Sequence, residues 1–396
     1  MYKVRPAATL ASLRKARIAA PEVERICKSI ISRRLHVYPP KKAAARSPRV
    51  AAKERAANGT SRTVRVKKSY GAEECLPPLA LLNSAHKSGA LGVTPEQALD
   101  FLRGWQERAA ASGLGWEQEL CSKHSITPST VVLLARIVGK CEGKGQKLFG
   151  KELMYAASAM GERSATFSIV STALRSGRAT DLEIRGPLQQ VGLLAKKEKD
   201  PQAMALLGQV LFSQRADNEA LDWFGKATSS GALDFDGAGE ALVTKGRILL
   251  SRKDMEGATE AFKNAALKLD DPTAYFYLSQ LEDSNSQNQQ VYLLKAATSG
   301  VLEAWHNLGV LELSKIDKRP KRPISLEDYE MAREWFQVAA ADGYGLSMLN
   351  LASIYKAVGQ RDEGLRWLEK AENVVGVSEQ AREMKSQWAM ENQVSG

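Results

Sequence analysis

Histidine and cysteine are scarce in this sequence, which limits the chemistry it can carry. There are four of each among 396 residues. His36, His86, His124 and His306 leave few choices for a general base, and no Ser/His/Asp or paired-carboxylate arrangement recurs at a recognisable turn, so catalysis is not expected. Cys27, Cys75, Cys121 and Cys141 contain no CxxC pair and are too few to staple a fold of this length. That fits a reducing compartment. Cys121, His124 and Cys141 could offer three metal ligands, but they lack a paired second half and a fourth partner, so neither a metal nor a cofactor is implied.

Acid is nearly absent from one end. Residues 1–68 hold 19 Lys/Arg against only Glu22, Glu24 and Glu54, a local balance of +16, while the remaining 37 basic and 42 acidic residues leave about −5. The overall +11 is therefore a property of the N-terminus and not of the whole chain. No apolar stretch in the first seventy residues reaches the length of a membrane span or a signal peptide. Leu10, Leu13, Ile18, Ile26 and Ile30 can form apolar stripes on helices studded with Arg14, Arg17 and Arg25, as in a mitochondrial presequence, and "SRRLHVY" (32–38) resembles a matrix-protease processing site. Residues 1–70 are expected to be a presequence followed by a disordered basic linker. A basic tail for nucleic acid or anionic lipid is the alternative.

Beyond that end, one helix is written repeatedly. "NEALDWFGKATSSG" (218–231) returns as "YEMAREWFQVAAADG" (329–343). A large residue recurs at Leu153, Trp223, Tyr292, Trp335 and Trp367, with alanine one helical turn later at Ala157, Ala227, Ala296, Ala339 and Ala371. Glycine follows at Gly161, Gly231, Gly300 and Gly343, and one place late at Gly376, where a helix closes with a left-handed residue. "EGATEAFKNAALKL" (256–269) fits less well, with Ala261 in the anchor slot and Leu269 in place of glycine.

Each of these helices follows another that carries small residues five apart: Ala203/Gly208, Ala241/Gly246, Ala274/Ser279, Ala304/Gly309 and Ser347/Ala352. Small side chains let two helices approach while a large residue of the partner fills the hole, so each pair reads as a helical hairpin. "SKIDKRPKRPIS" (314–325) interrupts the fourth pair and reads as a loop.

These residues resemble the Sel1-like repeats, relatives of tetratricopeptide repeats: "AWHNLGVLEL" followed by "YEMAREWFQVAAADGYGLSMLNLASIY" matches their alanine, Leu-Gly, aromatic pair, Ala-Ala and Gly. The resemblance covers about 200–376 and, more weakly, the chain from 147. It implies an all-α, right-handed solenoid of antiparallel hairpins and a scaffolding role. Residues 72–146 are expected to cap the array, with Thr94, Pro95 and Gln97 opening one helix and "ITPSTVVLLARIVGK" another. Residues 147–376 form the repeats, and residues 377–396 a final helix in which Trp388 and Met384 cover the last repeat.

In the tetratricopeptide frame the first helices line a peptide-binding groove, whose face is expected to include Gln202, Gln209, Glu240, Arg247, Phe276, Gln280, Glu303 and His306, with Phe276 and Tyr275 or Tyr277 as anchors. Ala205, Val243, Phe276, His306 and Leu349 stand where a carboxylate clamp would need lysine and asparagine, which argues against that clamp. "GQKLFGKE" (145–152) has the spacing of a phosphate loop but ends in Glu152, which cannot replace the hydroxyl that touches magnesium. The expected function is a noncatalytic adaptor in mitochondria, in the matrix. The resemblance implies assembly or maturation of an inner-membrane respiratory complex, with a complex subunit as client and peripheral membrane contact. Lys315–Arg322 is a candidate surface for an acidic partner or a membrane. An RNA-associated factor in mitochondrial gene expression and a cytosolic Sel1-like scaffold are the alternatives, and the net acidic array disfavours phosphate contact.

Overall fold

Helices start and stop where local chemistry allows. In the computed structural model, which describes residues 71–394 apart from 72, 112–114, 230–232 and 285, the opening predicted at Thr94 is a reciprocal cap. Thr94 N–H donates to Gln97 Oε1 at 3.0 Å, and Gln97 N–H donates to Thr94 Oγ1 at 3.2 Å. Thr127, Asp200, Asp271 and Ser286 likewise accept from backbone N–H groups at the starts of their helices. Gly161, Gly300, Gly343 and Gly376 all have positive φ, as helix-closing residues must, whereas Gly231 and the whole of residues 1–70 lie outside the described residues.

The described helices are α1 (Leu79–Lys87), α2 (Pro95–Ala111), α3 (Trp116–Lys123), α4 (Pro128–Lys140), α5 (Lys144–Ala159), α6 (Arg163–Arg175), α7 (Arg185–Leu193), α8 (Pro201–Ser213), α9 (Asp217–Thr228), α10 (Ala238–Ser251), α11 (Met255–Leu269), α12 (Pro272–Leu281), α13 (Gln287–Thr298), α14 (Leu302–Asp317), α15 (Glu330–Ala341), α16 (Gly345–Ala357), α17 (Arg361–Glu372) and α18 (Ser378–Val394). There is no strand among the described residues. The all-α class is as expected, and the five small-residue pairs mark α8, α10, α12, α14 and α16, each followed by its anchor helix. The chain divides between Ala261 and Phe262, inside α11, into two compact units.

In the unit up to Ala261, α4 and α5 lie so close that a Cβ on Gly150 would stand 2.8 Å from the Ala135 carbonyl oxygen. "GQKLFGKE" is therefore the first half of a packed helix, and the expected division at 146/147 falls inside α5. Two further helices went unrecognised in the sequence. α6 starts at Glu162, whose carboxylate accepts from Ser164 N–H, and buries Ala165, Ile169, Val170 and Ala173 at helical spacing. α7 is joined to it through Gln190 Oε1, which accepts from Thr166 Oγ1 at 2.8 Å and Ser158 Oγ at 3.1 Å.

In both units the residue after the repeat anchor proves to be the core member, except at Leu153, which is itself fully buried. Trp223, Tyr292, Trp335 and Trp367 are half-buried, whereas Phe224, Phe262, Phe336 and Leu368 are fully buried and Leu293 is 2% exposed. The small partners explain why. A Cβ on Gly208 would stand 2.6 Å from Phe224 Cε1, so the phenylalanine occupies the space vacated by glycine.

In the unit from Phe262, α14 continues through Lys315 and the buried Ile316 to Asp317, which shortens the loop expected at 314–325. An apolar contact overrides the charge-rich composition there. At the chain's end Trp388 is 4% exposed against Gly364, and Arg361 Nη2 donates to its carbonyl oxygen, while Met384 packs on the same core, as the sequence suggested.

Candidate protein-binding face

A common frame follows from the small residue that opens each first helix: Ala203, Ala241, Ala274, Ala304 and Ser347. One residue before it stand Glu240, Thr273 and Glu303, which are exposed, and Gln202 and Leu346, which are half-buried. Six after it stand Gln209, Arg247, Gln280, Val310 and Ser353, all half-buried. Six of the expected face residues, Gln202, Glu240, Glu303, Gln209, Arg247 and Gln280, occupy these two positions. Phe276 and His306 are two places after the small residue, where Ala205, Val243 and Leu349 are buried.

In the unit up to Ala261 this face is knitted to itself. Gln209 Nε2 of α8 donates to Thr244 Oγ1 of α10 at 3.0 Å and to the Glu240 carbonyl at 3.2 Å. The Arg247 guanidinium lies 5.7 Å from the Phe212 ring centroid. Gln209 therefore braces two first helices.

In the unit from Phe262, Phe276 and Gln280 are half-buried on α12 and Glu303 is exposed on α14. His306 is not on the face. It is 5% exposed, with Nδ1 2.9 Å from Ser347 Oγ of α16 and its ring 5.4 and 5.0 Å from those of Phe336 and Tyr344. Desolvation pushes its pKa down to about 4, so the imidazole is neutral and bridges two first helices. It shares its place in the frame with the buried Ala205, Val243 and Leu349, which is why it does not reach the surface expected of it from the sequence. Tyr275 is likewise no anchor, being 3% exposed with its hydroxyl accepting from Lys295 Nζ at 2.8 Å. Tyr277 is half-buried and stacks flat on Phe262, ring centroids 4.9 Å apart.

No group of three His, Cys, Asp or Glu that could hold a metal occurs among the described residues. Cys121 and Cys141 are buried in the unit up to Ala261, and the His124 ring stands on edge against Phe101. The Cys121 thiol contacts Met160 Sδ at 4.0 Å beside a cleft of about 540 Å³. Burial, and then Glu117, raise its pKa to about 11, which suppresses the thiolate. No helix among the described residues is long and apolar enough to cross a membrane. In the segment Lys315–Arg322, Lys315 pairs with Glu312 at 3.0 Å, while Lys318, Lys321 and Arg322 are exposed.

No family model matches this chain, and no curated protein matches it. Solved structures do. A protective antigen of uropathogenic Escherichia coli displaying an SLR fold is 17% identical over 80% of this chain and 73% of its own, with a TM-score of 0.51. A Sel1 repeat protein from Oxalobacter formigenes is 19% identical over 53% of this chain and 86% of its own, with a TM-score of 0.41. A Sel1 repeat protein from Klebsiella pneumoniae is 16% identical over 52% and 98%, with a TM-score of 0.33. With hairpins in the predicted register and the antigen's SLR fold superposing on four-fifths of the chain, this is an all-α protein with the Sel1-like repeat fold.

Proposed function

We propose that the protein is a noncatalytic scaffold that binds other polypeptides through the outward positions of its first helices, and that it works in the mitochondrial matrix as an assembly or maturation factor for an inner-membrane respiratory complex. The observation that carries the binding reading is the recurrence of half-exposed polar positions at fixed offsets from the small residue of each first helix, from Gln202 to Gln280. Repeat scaffolds use such regularly spaced side chains to hold extended or helical segments. The mitochondrial reading is supported by the basic, acid-poor residues 1–68 and by the low cysteine content. Peripheral contact with the inner membrane through Lys315–Arg322 belongs to the same proposal.

Proximity labelling with the full chain in its native cell tests both parts. The expected result is enrichment of inner-membrane respiratory subunits. Enrichment of mitochondrial ribosomal or RNA-processing proteins, together with salt-dependent RNA retention by residues 71–396, would overturn it in favour of gene expression. Residues 1–70 fused to a reporter are expected to send it to mitochondria. A diffuse cytosolic reporter would remove the compartment and leave a cytosolic scaffold.

A further inference from the structure

The two units treat the same repeat positions differently. In the unit up to Ala261 the position three after the small residue of α10 is Thr244, and its hydroxyl is taken by Gln209 of the preceding first helix. In the unit from Phe262 the corresponding residues are Asn307 on α14 and Asn350 on α16, and the residues corresponding to Gln209 are Gln280 on α12 and Val310 on α14. Valine cannot donate to Asn350. Asn350 is only 6% exposed, yet neither its amide nor those of Asn307 and Gln280 form a hydrogen bond among the described residues. The Asn350 amide is not fully enclosed: its polar atoms reach solvent, as do those of the half-buried Asn307 and Gln280, so all three are open to a ligand.

We propose that Gln280, Asn307 and Asn350 form a row of open amides that holds the main chain of an extended polypeptide segment. This deepens the protein-binding reading and rests on it. A carboxamide offers an N–H donor and a C=O acceptor together, the same pair that a peptide unit presents, whatever its side chain. The His306 to Ser347 bond locks α14 beside α16 and so sets the register of Asn307 and Asn350. Neighbouring helix axes lie about 8–10 Å apart. An extended chain advances about 3.3 Å per residue, so one amide on each first helix meets every third residue of the segment. An RNA strand would need cations along this path, and the row carries the exposed Glu303 instead.

The test uses the purified full chain and a displayed library of random dodecapeptides as probe. Peptides selected on the wild type are expected to bind roughly tenfold more weakly to Asn350→Leu and to Gln280→Leu, the loss of one or two hydrogen bonds. Replacing one peptide N–H by N-methyl should weaken binding to the wild type but add little to the loss in Asn350→Leu. Asn350→Leu should melt close to the wild type, because it removes an amide that no other side chain or backbone group of the described residues engages. If it unfolds, Gln280→Leu and Asn350→Thr, which copies Thr244, carry the test. Selected peptides that bind all variants equally would overturn the amide row and leave the protein-binding reading standing. A library that yields no binder would overturn both, and an RNA whose retention depends on Asn350 would replace the polypeptide as occupant.

Discussion

Phe336 fills the space that a side chain at Gly309 would need: a Cβ there would come within 2.5 Å of Phe336 Cε1. Replacing glycine by alanine inside a helix ordinarily stabilises by about 1 kcal/mol. At Gly309 the sign should reverse. Gly309→Ala is expected to destabilise by about 1–3 kcal/mol through overpacking, and Phe336→Ala by about 3–5 kcal/mol through the cavity it leaves. Urea unfolding of the two variants and their double mutant checks this, and strong non-additivity is expected because the residues share one contact.

Trp367 and Leu368 should rank opposite to their sizes. The Trp367 indole N–H is buried without a partner, and Lys370 Nζ lies 4.0 Å from the ring centroid. Trp367→Phe keeps a ring and deletes the orphan donor, so its stability should stay within about 0.5 kcal/mol of the wild type. Leu368→Ala is expected to lose about 2–5 kcal/mol, since Leu368 is fully buried. Thermal melts of both variants decide the order.

Buried neutral His306 makes the fold acid-sensitive. Its folded pKa of about 4 lies below the unfolded value of about 6.5, so its contribution is fully present above about pH 6.5 and is lost as pH falls toward about 4. The linked loss is on the order of 3 kcal/mol. Melting temperature measured across this window should fall more steeply for the wild type than for His306→Asn, which retains a polar group toward Ser347 without the titration.

Asp270 closes α11 with a φ of 53°, one place after Leu269 and at the same offset from its anchor as the positive-φ Gly376 of the last copy. Its ion pair with Lys295, at 3.8 Å between well-exposed groups, contributes little. Asp270→Gly should therefore stabilise the protein by about 1 kcal/mol, read as a rise in the urea midpoint at unchanged slope.

Sequence alone was sufficient for the fold class and for the repeat register, because hairpin packing writes a periodic signal: small residues five apart, alanine one turn after an aromatic, and glycine where φ must turn positive. Which of two neighbouring large residues enters the core was not legible. Trp335 and Phe336 both suit a helix, and only the position of Gly309 across the hairpin selects the second. Gln209, Arg247 and Gln280 stand at half-buried outward positions, whereas His306, expected beside them, is turned inward against Phe336 and Tyr344, a burial that only the stacked helices decide. The free amides of Asn307 and Asn350 left no mark in the sequence. Whether a polar side chain is satisfied depends on what the neighbouring helix presents, Gln209 to Thr244 but Val310 at the equivalent place beside Asn350, and that pairing exists only once the helices are stacked.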